Sequence, residues 1–252
     1  MTEYHSKIFH LKSMEMPFTL KFILTSTKIP SNLLINTAQK IQEYLNHVDQ
    51  QFSPFISTSL VSKYQNHQLE LNEFTSEFQE VYGISVKAQE ITDGAFNPFY
   101  NHQYDPTGLV KGWAIQRGFE IYLRPLLQNQ QVAAVALNGA GDIQMGVAHD
   151  SNYEWQIGIE DPLQINHLIY QFTIKNGAIA TSGFSKRGSH IQLQDATSSI
   201  IQSSIVADEL IEADIMATAV ISMGQNKLKN FKYPLRGIII DRQDHITELE
   251  RR

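Results

Sequence analysis

Residues 212–224 read EADIMATAVISMG. Around Asp214 and Thr218 stand Ile215, Met216, Ala217, Ala219, Val220 and Ile221. A helix apolar almost all round is a buried helix, and Gly224 is positioned to stop it. Residues i and i+4 share a helical face, so Asp214 and Thr218 sit together on a buried segment. A carboxylate there is costly unless it is paired, hydrogen-bonded or metal-bound. Carboxylate and hydroxyl oxygens suit magnesium or calcium rather than zinc or copper. The plainer alternative is a capping aspartate and a threonine bonded back to its own helix.

The remaining elements are legible at lower resolution. Residues 17–26 read as a strand, and 31–48 as an amphipathic helix with Ser31 or Asn32 as its cap. Residues 72–90 carry a second helix, 93–100 (DGAFNPFY) a loop, and 112–128 a third helix interrupted at Pro125. Residues 132–147 read as strand, glycine turn, strand; WQIGIEDP and LIYQFTIKNGAIATSG supply further strands. SHIQLQD alternates, with His190, Gln192 and Gln194 on one face, and predicts another strand. PLRGIIIDRQDHITEL closes with a single strand. Strands and helices mix without strict alternation, which points to an α+β fold. No linker-like shift in composition divides the 252 residues, so 1–252 is expected to form one domain.

With no cysteine, disulfides, zinc–thiolate sites and cysteine nucleophiles are excluded. A net charge of −6 and no basic stripe argue against nucleic acid. The first residues lack the apolar core of a leader, and no apolar run is long enough to span a bilayer. The expectation is a cytoplasmic protein.

Three further stretches could carry chemistry. DPTGLVKGWA, 105–114, sets Asp105 and Lys111 around a glycine turn at the start of a helix. A helix N-terminus with a lysine can hold an anion, but a type I turn with Pro106 second and Gly108 fourth would look the same. The spacing is not that of a Walker A loop, and no GxGxxG occurs. LNGAGDIQMG, 137–146, permits close approach of a ligand to backbone, or is a hairpin turn carrying Asp142. ATSGFSKRGSH, 180–190, offers Lys186, Arg187 and His190 to a phosphate, or is a solvated hairpin tip. No GxSxG elbow and no HExxH helix is present.

Taken in order, DGAFNP, DPTGLVKGWA, LNGAGDI, AIATSGFSKRGSHI and EADIMATAVISMG resemble the ApbE family of flavin transferases, as does HVDQQFSPFISTSLVSKY (47–64). The resemblance runs from about Met16 to Gly224. It implies a single ApbE-like, T-fold-like domain with mixed or antiparallel sheets and packed helices. It also implies FAD as substrate, Mg2+, and transfer of the FMN half to a threonine or serine hydroxyl of a target flavoprotein with release of AMP. Some members instead hydrolyse FAD to FMN and AMP.

Carried over position by position, Asp105 and Lys111 would contact FAD. Ala95, Phe96 and Asn97 would line the flavin pocket, with Met16 near it, and Asn138, Gly139 and Gly141 would shape the same cleft. The Gly108 carbonyl, Asp214 and Thr218 would hold the metal, with Asp214 thereby part of the catalytic centre. His190 would be the base for the attacking hydroxyl. The chain departs from the family pattern at Asn97, usually Asp, and at Ser185, usually Tyr. It also departs at Pro17-Phe18 after Met16, and after His190, where a turn-forming Asp-Pro is usual.

Overall fold

The computed structural model describes residues 3–100, 103–164, 166–184 and 192–251. Eight strands form one sheet: β1 (His5–Ser13), β2 (Met16–Leu24), β3 (Val132–Gly139), β4 (Asp142–Val147), β7 (Gly177–Gly183), β8 (Ile200–Ala207), β9 (Leu235–Asp241) and β10 (Ile246–Arg251), side by side in that order. Every neighbouring pair is antiparallel. Missing from that order are β5 (Trp155–Glu160) and β6 (Leu168–Ile174), which pair with each other as a separate hairpin.

Period-two alternation sorts the side chains into two cores. Phe18, Leu20, Phe22, Val135 and Leu137 face the helices. Ile23, Ala134 and Ala136, their neighbours in sequence, face the other way, onto Trp155, Ile159, Phe172 and Ile174 of the hairpin. The result is three layers: helices, large sheet, hairpin.

On the helical side, α1 (Ser31–Phe52) buries Leu34, Ala38, Ile41, Leu45, Val48 and Phe52 along one stripe. It runs past the expected end at 48, and neither Ser31 nor Asn32 caps it. Pro30 stands at the cap position, with no side-chain cap bond. A short α2 (Leu60–Gln65) follows, unforeseen in the sequence. The second expected helix starts later, as α3 (Ser76–Ile91), because Thr75 Oγ1 accepts the Phe78 N–H. Leu71–Glu73 is a separate 3-10 turn closed by Glu70 and Glu73.

The third helix begins earlier than 112, as α4 (Thr107–Gly118). The Pro106 carbonyl accepts both the Leu109 and Val110 N–H groups, so Gly108 lies inside the first helical turn rather than fourth in a type I turn. Phe119–Leu123 continues as a π turn and Arg124–Gln128 as a 3-10 turn around Pro125.

The apolar helix is α5 (Leu210–Leu228), enclosed as its composition demands. Its first N–H groups are capped from a distance. Gln144 Oε1 accepts Leu210 N–H at 2.9 Å, and Gln116 Oε1 accepts Ile211 N–H at 3.0 Å. Gly224 interrupts the helix at φ 66° rather than ending it. The carbonyl of Ser222 then accepts from Gln194 N at 2.8 Å and Asp195 N at 3.2 Å. Residues 192–195, expected in a strand, are therefore a loop tied to this break. The closing segment also differs. It makes two strands, β9 and β10, because Asp241 Oδ1 accepts the N–H groups of Gln243 and His245 and folds the chain back.

Candidate functional site

A cleft of about 500 Å³ opens where five parts of the fold meet: the loop at 95–98, the start of α4, the β3–β4 turn, β5 with the end of β7, and α5. Thr92 Oγ1 holds the first loop by accepting the Phe96 N–H at 3.0 Å. Ala95 and Phe96 are buried in it. Asn97 is exposed, and its Oδ1 accepts from Phe99 N–H and from Gln89 Nε2, both at 3.0 Å. Behind the loop, burial keeps the phenol of Tyr104 neutral well above its ordinary range, and the neighbouring Asp105 charge adds to that.

Asp105 is exposed at the cleft. Its Oδ1 accepts from the N–H of Thr107, at 2.9 Å, and from the Thr107 hydroxyl. It thereby fixes the entry to α4. A Cβ on Gly108 would make ordinary contact with the Phe96 ring, at 3.6 Å, so packing alone does not demand a glycine there. Lys111, one turn on, forms an ion pair with Asp142 rather than with Asp105. Asp142 is 2% exposed, and its other oxygen accepts the Thr181 N–H at 3.0 Å. One carboxylate thus ties α4, β4 and β7 together at the cleft wall.

The β3–β4 connection is a two-residue turn, Ala140-Gly141, with positive φ at both, 53° and 105°. Asn138 Oδ1 accepts the Gly141 N–H at 2.9 Å. Asn138 and Gly141 line the cleft, but Gly139 does not. A Cβ on Gly139 would come within 2.6 Å of Ile115 and 2.7 Å of Phe18, so this glycine serves core packing.

On α5, Asp214 and Thr218 both line the cleft, Asp214 at 5% exposure. Gly112 of α4 packs directly against that carboxylate: a Cβ there would sit 2.8 Å from Asp214 Oδ2. Thr218 does not bond back to its own helix. Its Oγ1 lies 2.9 Å from Ser182 Oγ of β7.

The structure therefore gathers Ala95, Phe96, Asn97, Asp105, Gly108, Lys111, Asn138, Gly141, Asp214 and Thr218 around one cavity. Met16 begins β2 and packs against the helical core, away from the cavity lining. His190, with Ser185, Lys186 and Arg187, lies outside the described residues. Sequence reasoning missed Asp142 as a cleft residue, and missed Asp161, Ser182 and Gln202, which also line it. Asp161 is 2% exposed, with Oδ1 accepting from Leu163 and Gln164 N–H. An acid two residues before a loop leucine carries no mark of burial in sequence.

Among the described residues no three His, Cys, Asp or Glu side chains converge. On the α5 wall the cleft offers oxygen donors, the Asp214 carboxylate and the Thr218 hydroxyl. Those are hard donors of the kind Mg2+ takes alongside substrate phosphates. In the same residues no helix is long and apolar enough to cross a membrane.

The fold is similar to that of the ApbE protein from Thermotoga maritima, at 20% identity and a TM-score of 0.78, over 98% of this chain and 97% of that one. It is also similar to flavin transferase ApbE from Vibrio cholerae, at 15% identity and a TM-score of 0.75, over 99% and 98%. The apo form of Pseudomonas stutzeri flavinyl transferase ApbE matches at 16% identity and a TM-score of 0.76, over 97% and 94%. No curated protein matches the chain in sequence. The sequence model of the ApbE family matches residues 101–237, more than half of the chain and the part that carries α4, the β3–β4 turn and α5. By that match the chain belongs to the ApbE family.

Proposed function

We propose that this protein transfers the FMN half of FAD to a threonine or serine hydroxyl of a target flavoprotein, releasing AMP, with Mg2+ bound in the cleft. One observation carries the reading. Asp214 and Thr218, one turn apart on α5, share a single cavity with Gly108, Asp105 and Lys111 from the start of α4. FAD is a pyrophosphate, and its cleavage builds negative charge on the departing phosphate. A cleft with hard oxygen donors on one wall and an ammonium on the other suits that demand.

Asp214, Thr218 and the Gly108 carbonyl fit a magnesium ion, which when bound would neutralise charge on the pyrophosphate oxygens. Lys111, held by Asp142, would donate to a phosphate oxygen from a fixed position. The loop at Ala95, Phe96 and Asn97 would take the flavin ring, with Asn138 and Gly141 opposite. In the transfer the acceptor oxygen bonds to the FMN-side phosphorus and the bond to the AMP oxygen breaks. AMP leaves with the electron pair, and the hydroxyl proton passes to a base, the role proposed for His190. Holding the reactants in line supplies much of the rate.

The test is incubation of the protein with FAD and Mg2+, with and without a flavin-acceptor domain. AMP is followed by chromatography and the acceptor by mass spectrometry. The reading predicts AMP together with an FMN-sized mass gain on the acceptor. AMP without the gain would make the protein an FAD pyrophosphatase. FAD binding with neither product would leave a non-catalytic flavin-binding protein.

A further inference from the structure

We propose that Gln194 is a positioning residue. It straps the loop at 93–97 to α5, so that the part of the cleft assigned to the flavin ring keeps its spacing from Asp214 and Thr218. This rests on the FMN-transfer reading above. Gln194 does not itself line the cleft, but Gln192 on its own segment and Ala95 on the loop it reaches both do. The strap therefore crosses at the rim. It lies in the segment after His190, where the sequence departs from the family pattern.

One end of the strap is fixed by the break in α5. Asp214, Thr218 and Ser222 follow at intervals of four and share a helical face. At Gly224 the backbone leaves helical geometry. The Ser222 carbonyl is taken instead by the N–H groups of Gln194 and Asp195. The Ser222 hydroxyl donates to the Gln192 carbonyl at 2.6 Å. Leu193, between those two contacts, packs against the helical core. The backbone on either side of Leu193 is thus pinned to the continuation of the face that carries Asp214 and Thr218.

At the other end, Asp93 and Gly94 both have positive φ, 50° and 71°, and turn the chain out of α3 into the loop. The Asp93 carbonyl accepts from Gln194 Nε2 at 2.9 Å. Gln194 Oε1 in turn accepts from Lys227 Nζ at 3.0 Å. A carbonyl can only accept and an ammonium can only donate, so the two contacts fix which end of the amide is which. The side chain is held from both sides, by the loop and by the far part of α5. The loop's own bonds run back toward α3: Gly94 N–H to the Gln89 carbonyl at 2.8 Å, and Phe96 N–H to Thr92 Oγ1 at 3.0 Å. The bond from Gln194 carries the tie across to α5.

The test compares the wild-type protein with two variants. Gln194→Met keeps the length of the side chain and loses both bonds. Gln194→Glu can still accept from Lys227 but cannot donate to the Asp93 carbonyl. Both should raise KM for FAD about fivefold, the effect of one lost hydrogen bond, and leave kcat within about twofold. A fall in melting temperature with KM and kcat worsening together would show a general structural role and overturn the proposal. Wild-type kinetics in Gln194→Glu would overturn it as well. The second arm is amide hydrogen exchange without FAD. In Gln194→Met the Ala95 and Phe96 amides should exchange at least about threefold faster, while Ala217 in α5 keeps its rate. Equal rates at Ala95 and Phe96 would overturn the strap. Because the exchange arm needs neither FAD nor turnover, failure of the wild-type protein to cleave FAD would refute the reaction separately.

Discussion

At the scale of single residues, Gly112 shows how one absent side chain shapes the site. Alanine is the better helix former by about 1 kcal/mol, so an ordinary Gly→Ala change inside α4 would stabilise. Here the added Cβ would stand 2.8 Å from Asp214 Oδ2. Overpacking of this kind costs about 1–3 kcal/mol and displaces the carboxylate. Gly112→Ala is therefore expected to lower AMP release at least about tenfold without raising the melting temperature. A stabilised variant with unchanged AMP release would mean that Asp214 is not held against α4. Asp142 makes the complementary point. Beside a glycine turn it reads as a solvated hairpin residue, and its burial comes from Lys111 and Thr181, which are remote in sequence. The Asp214 and Thr218 pair was legible because an all-round apolar helix announces its own burial. Nothing local announces that of Asp142.

At the scale of elements, periodicity revealed α1, α3 and α5, and turn chemistry revealed the β3–β4 hairpin. Three strands or halves of strands escaped it. The edge strand β1 is mostly exposed and charged, so its alternation is faint. In β8, Ser203 and Ser204 are fully buried, and hydroxyls obscure the apolar run that would mark a central strand. The β9–β10 pair reads as one strand until the Asp241 side chain is seen closing the turn. The start of α5 was also hidden, because its cap is not a neighbour. Gln144, 1% exposed, serves Leu210 N–H, the Gly177 carbonyl and the Asp208 carbonyl at once. Gln144→Leu keeps the volume but strands those groups. Destabilisation by roughly 2–3 kcal/mol is expected in urea unfolding, and a loss under about 0.5 kcal/mol would show that the cap is replaceable.

At the scale of the whole molecule, the large sheet carries helices on one face and the β5–β6 hairpin on the other, and the cleft lies where the layers meet. Burial of polar groups in the helical layer has a consequence for pH. Desolvation raises the phenols of Tyr44 and Tyr104 above their ordinary 10.0, with the nearby Glu77 charge adding at Tyr44. A raised value in the fold favours the protonated native state, so this stability is present below pH ~10 and is lost as pH climbs beyond it. The urea midpoint should hold to about pH 10 and fall above it. If all ten tyrosines instead ionise near their ordinary value with the fold intact, those two are not buried as described.

The central claim is that this cleft, through Asp214, cleaves FAD. Its most direct test is Asp214→Ala, with AMP release from FAD and melting temperature measured on the same preparation. The account predicts AMP release reduced to background, and a melting temperature within a few degrees of the wild type. Full turnover with unaltered metal dependence would contradict it.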